Sequence, residues 1–249
     1  MSLKKQIPNI ITLLNLLCGC IGVLFAVEGN LIMAAVFVGG GIFFDFFDGL
    51  AARKLNVQSE LGLQLDSLAD MVTSGLVPGI AMFKLLQRSF GNTAEASWDG
   101  GFFEFDFHPV ALIGFVITLA SAYRLANFNV DDRQDTSFIG LPTPANALLV
   151  LSIPMIITYQ QNPLITQVLL NPYFLIGFSV LSAYLLNAEL PLFALKFKDW
   201  SVKKNALRYS FIAISAILLV LLKYLALPVI MLLYILLSLI FKEQSQSAS

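Results

Sequence analysis

The sequence predicts an all-α, polytopic transmembrane helix bundle. Of its 249 residues, 57% are hydrophobic and only 12% are charged, and the mean hydropathy is +0.80. Soluble domains carry about 25% charged residues, so a chain this apolar belongs in a lipid bilayer. Its apolar residues also cluster into runs of about 20, the length that crosses a membrane as a helix.

Eight apolar runs follow one another along the chain. They predict helices over about 9–27, 31–49, 66–87, 109–128, 144–161, 170–188, 208–223 and 225–241. The last two runs are short and adjoin at the Leu225 to Pro228 region, so a kinked or re-entrant pair, and a total of six spans, is the alternative. Because no segment resembles a soluble domain, residues 1–249 are predicted to form a single integral membrane domain.

Lysine and arginine are distributed unevenly between the predicted loops. If the N-terminus is cytoplasmic, Lys84, Arg88 and Lys223 fall on the outer side. The other 12 of the 15 basic residues fall on the cytoplasmic side: Lys4, Lys5, Arg53, Lys54, Arg124, Arg133, Lys196, Lys198, Lys203, Lys204, Arg208 and Lys242. This positive-inside bias places both termini in the cytoplasm.

Charge and histidine content exclude several classes of function. The formal net charge is -1 and long basic runs are absent from the sequence, so nucleic acid is not an expected partner. Short basic clusters, such as the one over 196–208, are expected to touch anionic lipid headgroups instead. The single histidine, His108, lies in a predicted external loop, which excludes a catalytic arrangement of the Ser-His-Asp type.

Four aspartates stand at the facing ends of the second and third predicted helices. Asp45 and Asp48 end one apolar run, and Asp66 and Asp70 begin the next. Spacings of three and four residues place each pair on one helical face. Because a short loop makes the two helices antiparallel neighbours, both pairs are predicted to face one cytoplasmic cavity.

The physical cost of these acids indicates a functional role. A charged carboxylate at the centre of a membrane costs about 2.5–3.5 kcal/mol on insertion scales, and clustered carboxylates repel one another. Arg53 and Lys54 could neutralise two of them. Carboxylates without histidine or thiolate favour hard ions, so two Mg²⁺ or Mn²⁺ ions, or Ca²⁺, are the expected cofactors. The alternative interpretation is that each aspartate caps a helix or reaches into water.

The complete pattern resembles a known family. It reads Asp45-x2-Asp48-Gly49-x2-Ala52-Arg53-x8-Gly62-x3-Asp66-x3-Asp70. Position for position, it is similar to the signature of the CDP-alcohol phosphatidyltransferases. The resemblance covers about residues 8–190 and implies a bundle of at least six helices, usually a homodimer, that binds CDP-diacylglycerol through divalent metal. It makes the four aspartates the predicted metal ligands.

The resemblance also implies a binding site for the lipid donor. The family's first-helix pattern is present as Pro8, Asn9, Thr12 and Asn15, and Asn9 and Thr12 are the predicted contacts of the nucleotide. Capping and hydrogen bonding within the helix is the alternative for both. Arg53 would pair with the diphosphate or balance the acids. Room for the cytidine and ribose is predicted at Gly49, Ala52 and Gly62.

The fourth predicted helix and the loop after it resemble the members of the family that use L-serine. The similar stretches are Arg124 to Asn129 and Gly140 to Pro144, although Asn127 stands where many relatives have a basic residue. Arg124 would bind the carboxylate of serine or, alternatively, extend to the interface as an ordinary helix-end arginine. The predicted serine contacts are Arg124, Asn129 and Thr143.

These resemblances imply an enzyme that transfers a phosphatidyl group from CDP-diacylglycerol to serine and releases CMP. Asp70 is the predicted general base, because only carboxylates are grouped near the metal. Other acceptors, namely glycerol 3-phosphate, inositol or choline, are the alternative within the family. A divalent-cation transporter is a further alternative, which the apolar outer halves of the second and third helices disfavour. A bacterial cytoplasmic membrane is the expected location, and helices over about 205–241 are expected to be additions to the catalytic bundle.

Overall fold

The computed structural model of the protein describes residues 3–91, 108–130, 138–192 and 205–240. The α-helices in these ranges are α1 (Leu3–Val27), α2 (Leu31–Leu55), α3 (Glu60–Asp70), α4 (Val77–Ser89), α5 (Val116–Val130), α6 (Thr143–Tyr159), α7 (Pro163–Leu169), α8 (Pro172–Asn187), α9 (Ala206–Leu222) and α10 (Ala226–Ile240). A π-helix follows α3 at Met71–Leu76, and 3-10 helices precede α5 at Pro109–Phe115 and join α9 to α10 at Lys223–Leu225. The predicted all-α fold is confirmed, apart from one pair of two-residue strands.

Several helices are long and apolar enough to cross a membrane. Five such segments lie in the described residues: Gln6–Val27, Leu31–Leu55, Glu60–Ser89, Pro109–Val130 and Ala206–Ile240. The pair α7 and α8, bent by 61°, makes a sixth when it counts as one broken span. The apolar helix α6 is shorter, at 17 residues. All eight predicted apolar runs are helical, but five or six segments of the described residues, rather than eight, are long and apolar enough to cross a membrane.

The last apolar segment is a helical hairpin rather than one long helix. The rings of Phe211 in α9 and Tyr234 in α10 lie 5.7 Å apart between centroids, whereas 23 residues of straight helix would separate them by about 35 Å. The chain reverses at Lys223, whose φ is 51°. The turn lies beside the C-terminal end of α6, where Tyr159 stacks on Tyr224 at 4.9 Å. The turn of the hairpin and the C-terminal end of α6 thus lie at the same level of the bundle.

Polar residues define the junction between α2 and α3. Asn56 ends α2 in the left-handed conformation, with φ 53°, and its backbone N–H bonds to carbonyls of the last turn. Ser59 then begins α3 by accepting a hydrogen bond from the Gly62 N–H at 3.1 Å. This serine cap and the left-handed asparagine are frequent helix-boundary signals. They return the chain in a short antiparallel turn, as the sequence predicted.

The segment Gly140 to Thr143 is held against the end of α8. Strand β1 (Phe138–Ile139) pairs antiparallel with β2 (Pro191–Leu192). Gly140 has φ +75°, and a Cβ on this residue would lie 2.6 Å from the Leu186 carbonyl oxygen. Only glycine fits this conformation and this close approach without strain. The turn therefore fixes where α6 begins.

Small side chains fill the centre of the bundle. Ala26, Ala34, Val38, Ala81 and Ala147 belong to one buried cluster contributed by α1, α2, α4 and α6. In a bilayer, helices associate through close packing because lipid offers no hydrophobic driving force between them, and small residues allow that approach. The resulting compact centre positions α1, α2 and α3 relative to one another.

Several sequence predictions fall outside the described ranges. They include most of the predicted external loop over 92–107 and the predicted interfacial segment over 193–204. The basic residues concerned are Arg133, Lys196, Lys198, Lys203, Lys204 and Lys242.

Candidate metal centre

Three of the four predicted ligands converge. Helix α2 supplies Asp45 and Asp48 from adjacent turns, and α3 supplies Asp66 from the antiparallel neighbour. One carboxylate oxygen of each aspartate lies within 4.8 Å of the corresponding oxygens of the other two. Asp48 is only 6% exposed. The N-terminal cap of α3 is Ser59 rather than an aspartate, and Asp45 and Asp66 are half-buried.

The residues present fit a hard divalent cation. The donor set consists of carboxylate oxygens only, which suits Mg²⁺, Mn²⁺ or Ca²⁺ rather than the softer metals. Asp66 Oδ1 is buried and has no hydrogen-bond partner among the described residues. An orphaned buried carboxylate oxygen is costly, and a bound cation would satisfy it. The cluster Asp45, Asp48 and Asp66 can therefore hold a metal ion.

Asp70 lies apart from the other three carboxylates. It is one turn beyond Asp66 in α3, is 8% exposed, and does not belong to the convergent group. The Asn15 Nδ2 of α1 donates a hydrogen bond to Asp70 Oδ1 at 3.2 Å. All four aspartates were predicted to share one metal site, but only three of them converge. Asp70 lies beside these three, where Asn15 holds its carboxylate.

Helix α1 supplies the polar groups that orient the acids. The Thr12 hydroxyl lies 2.6 Å from Asp48 Oδ2 and 3.1 Å from the Pro8 carbonyl. Asn9 lies near the start of α3, where a Cβ on Gly62 would be 3.5 Å from Asn9 Oδ1. The predicted first-helix residues therefore do reach the acidic motif, and Thr12 contacts a carboxylate of the cluster.

The remaining predicted donor-site residues line the last turns of α2. Gly49 directly follows Asp48, and a Cβ there would meet only the Arg53 guanidinium, at 3.9 Å. Arg53 is exposed and extends along its own helix, while Ala52 is half-buried. The absence of bulk at Gly49 and Ala52 leaves space beside the cluster. Arg53 borders that space with a positive charge.

Arg124 is buried in the bundle rather than extended to the interface. It lies in α5, is 8% exposed, and its Nε has no hydrogen-bond partner among the described residues. Helix α5 packs on the π-helix that follows Asp70, where the Thr118 hydroxyl donates to the Gly75 carbonyl at 3.0 Å. The interpretation of Arg124 as an interfacial arginine does not fit this burial. A buried guanidinium next to an acidic cavity fits an anion-binding role.

The other two predicted acceptor residues lie in different settings. The Asn129 amide is engaged with α3, since its Nδ2 donates to Ser67 Oγ at 3.0 Å and to Gln64 Oε1 at 3.4 Å. Asn129 therefore joins α5 to the helix that carries Asp66. Thr143 is 1% exposed and begins α6 immediately after the Gly140 turn. The sequence pointed to both residues but not to the contact of Asn129 with Ser67.

Sequence reasoning also overlooked the role of Asn15. This residue is three positions after Thr12 on the same face of α1, and that spacing was the available signal. Asn15 is 0% exposed, and the Thr73 hydroxyl donates to its carbonyl at 3.1 Å. It therefore anchors both Asp70 and the π-helix.

A bundle of apolar helices that gathers three carboxylates at facing helix ends defines an integral membrane protein with an acidic cluster that could hold a metal ion. The motif residues stand in the order Asp-Asp-Gly-Ala-Arg-Gly-Asp-Asp. The chain belongs to the CDP-alcohol phosphatidyltransferase family, whose family model matches residues 5–195. This match confirms the predicted family and class of enzyme.

The chain is also similar in sequence to curated proteins. The chain is 30% identical over 161 residues to a CDP-diacylglycerol--serine O-phosphatidyltransferase of Bacillus subtilis, covering 65% of this chain and 80% of that protein. It is 30% identical over 146 residues to the enzyme of that name from Helicobacter pylori, covering 58% of this chain and 55% of the relative. An archaetidylserine synthase of Methanothermobacter thermautotrophicus is 27% identical over 150 residues, with coverage of 59% and 56%. The chain thus spans about half the length of the latter two.

Proposed function

We propose that this protein transfers the phosphatidyl group of CDP-diacylglycerol to the hydroxyl of L-serine, forming phosphatidylserine and releasing CMP. The observation that carries the proposal is the convergence of Asp45, Asp48 and Asp66, within 4.8 Å, in a chain of this family. The names of the relatives from Bacillus and Helicobacter support serine as the acceptor. The buried Arg124 gives that acceptor a cationic partner for its carboxylate.

The donor binds with its diphosphate at the acidic cluster. Asp45, Asp48 and Asp66 would hold divalent metal, and Asp70 would either complete the site for a second ion or act as the base. The bound metal would neutralise and polarise the phosphoryl oxygens of the diphosphate. Arg53 pairs with the diphosphate, and the nucleotide occupies the space left by small residues near the start of α1. The contacts proposed for it are Asn9, Thr12, Gly49, Ala52 and Gly62.

The reaction is a substitution at the phosphorus that carries diacylglycerol. The serine hydroxyl oxygen forms a new bond to this phosphorus, the bond to the bridging oxygen of CMP breaks, and CMP leaves. The hydroxyl proton passes to a base, for which we propose Asp70, since Asn15 fixes its carboxylate at 3.2 Å beside the cluster. Arg124, with Asn129 and Thr143, positions serine. Acyl chains remain in the bilayer between helices while the headgroup enters the cavity.

The orientation and assembly follow from the distribution of charge and from the family. We propose a bacterial cytoplasmic membrane, with the active site and both termini facing the cytoplasm, and a homodimer. Residues 1–249 form one membrane domain, with the catalytic bundle at about 8–190 and the α9–α10 hairpin as an addition. Cytoplasmic access agrees with entry of the water-soluble serine from that side.

The deciding experiment incubates purified protein in detergent with CDP-diacylglycerol, Mn²⁺ or Mg²⁺, and labelled serine. Parallel reactions contain glycerol 3-phosphate, inositol or choline. We expect labelled lipid and CMP in equal amounts with serine only, and no product after chelation of the metal or with Asp48→Asn. Product with another acceptor and none with serine would reassign the acceptor. Metal flux through reconstituted vesicles without lipid product would instead indicate transport.

A further inference from the structure

Three buried hydrogen-bond donors near the cluster lack partners among the described residues. They are Ser74 Oγ, Arg124 Nε and Asn146 Nδ2. Ser74 and Asn146 are 0% exposed, and Arg124 is 8% exposed. Buried donors in proteins nearly always have an acceptor, because leaving one unpaired costs free energy. Three unpaired donors indicate an acceptor-rich ligand.

The elements that carry these donors pack together next to Asp70. Ser74 lies in the π-helix, which begins at the residue after Asp70. Arg124 lies in α5 and Asn146 in α6, and both helices pack against the π-helix. Asn146 also stands three residues after Thr143, one turn into α6. The donors therefore line the region between the predicted base and the predicted acceptor loop.

Asn146 is held in a defined orientation by α8. The Ser182 hydroxyl, 2% exposed, donates to Asn146 Oδ1 at 2.6 Å. Because an amide group is planar, fixing its oxygen also fixes the direction of its Nδ2–H bonds. The oxygen is thereby occupied and only the donor side of the amide remains for a ligand. A carboxylate, which only accepts hydrogen bonds, is complementary to that side.

We propose that Asn146 is a specificity-determining residue of the acceptor site, where its Nδ2–H donates to the carboxylate of the acceptor amino acid. This inference rests on the proposed function, because it names a further contact of serine. The two oxygens of the carboxylate allow Asn146 and Arg124 to bind it together. An acceptor alcohol without a carboxylate leaves the amide donor unpaired and is disfavoured for that reason.

The test compares L-serine with L-serinamide, in which a neutral amide replaces the carboxylate. Asn146→Asp retains an oxygen for Ser182 but replaces the Nδ2–H donor with a second carboxylate oxygen. We expect the ratio of kcat/KM for serine to that for serinamide to fall at least about tenfold, the effect of losing one hydrogen bond to a charged group. The KM for CDP-diacylglycerol stays unchanged. Where serinamide is not transferred, its inhibition constant against serine replaces its kcat/KM.

A matched control and a second variant separate recognition from packing. Ser152→Ala removes a buried hydroxyl of the same helix that donates to the Leu149 carbonyl, and it should leave the ratio unchanged. Asn146→Leu removes the unpaired donor without adding charge, and it also removes the acceptor of the buried Ser182 hydroxyl, so we expect a lower thermal midpoint together with a raised KM for serine. If Asn146 only joins α6 to α8, this variant loses the same stability and keeps wild-type selectivity.

If Asn146→Asp keeps the wild-type selectivity, the inference is overturned. If the Asp variant does not fold, wild-type selectivity in Asn146→Leu overturns it instead. A failure of the proposed function is distinguishable from either result. In that case the wild-type protein forms no lipid from serine, before any variant is compared.

Discussion

The Thr12 hydroxyl lies 2.6 Å from Asp48 Oδ2 and joins α1 to the acidic cluster. Thr12 is 3% exposed and Asp48 is 6% exposed, so this bond forms away from bulk water. A hydrogen bond to one carboxylate oxygen leaves the other free and limits rotation of the group. Outer hydrogen bonds of this kind orient metal ligands in many proteins. Thr12 is therefore a positioning residue for Asp48.

Replacing Thr12 with valine removes the hydroxyl and preserves the shape of the side chain. We expect the concentration of Mn²⁺ needed for half-maximal activity to rise about 10- to 100-fold, because Asp48 is less well oriented. The same shift should appear in the Mn²⁺ concentration that raises the thermal midpoint, a readout independent of turnover. Thr12→Ser retains the donor and serves as the control. A normal metal requirement in Thr12→Val would contradict the assignment.

Replacing Asp70 with asparagine removes the proposed base but retains an oxygen that can accept from Asn15. We expect kcat to fall by about 10²- to 10⁴-fold, the usual contribution of general-base catalysis, while binding of CDP-diacylglycerol persists. Single-turnover kinetics and equilibrium binding of the donor measure the two effects. Glu60→Gln removes the same charge from the exposed first turn of α3 and should remain active. Near-normal turnover in Asp70→Asn would remove the base assignment.

Replacing Arg124 with alanine removes the buried guanidinium of the proposed acceptor site. We expect the KM for serine to rise at least about tenfold, with a much smaller change for CDP-diacylglycerol, because a charged hydrogen bond to the carboxylate is lost. Steady-state kinetics with each substrate varied in turn measure the separation. Arg88→Ala, an exposed arginine in the last turn of α4, is the control. Equal effects on both substrates would assign Arg124 to phosphate binding or to the fold.

Replacing Gly41 with alanine tests the packing that supports Asp70. A Cβ on Gly41 would lie 2.5 Å from Thr73 Cγ2 and 2.7 Å from Asn15 Oδ1. We expect a loss of about 1–3 kcal/mol of stability, typical of overpacking, together with reduced turnover because Asn15 moves. Thermal unfolding in detergent and an activity assay give the two readouts. Gly39→Ala, where a Cβ meets nothing within 4 Å, should be neutral or stabilising; equal losses in both variants would indicate a general helix effect.

The sequence located the acidic motif, but the division of labour within it required the structure. Spacings of three and four residues correctly placed Asp45 and Asp48 on one face, and the short loop correctly made α3 the neighbour of α2. Those inferences use only local helix geometry. Asp70 instead accepts a hydrogen bond from Asn15, which is 55 residues distant in sequence, so no local rule predicts this contact.

For the C-terminal helices too, the sequence predicted the helices and only the structure showed how they pack. Hydropathy predicted two short helices over 208–223 and 225–241, with a kinked or re-entrant pair as the alternative. The contact between Phe211 and Tyr234 shows that the two helices form a hairpin. The stacking of Tyr159 on Tyr224 places the turn of this hairpin beside the C-terminal end of α6. Both are contacts between rings whose meeting depends on how separate helices pack. Helix propensity and hydropathy along the chain do not predict these ring contacts.

By itself, the sequence determined the helical membrane fold and the set of acids, because hydrophobic length and helical periodicity act over one or two turns, and the resemblance of the motif indicated the family. Only the tertiary structure decided which polar groups meet. It paired Thr12 with Asp48, Asn15 with Asp70 and Ser182 with Asn146. The physical reason is that the register between two packed helices is set by the fit of whole helix surfaces. Residues that lie far apart in sequence become neighbours only through that fit.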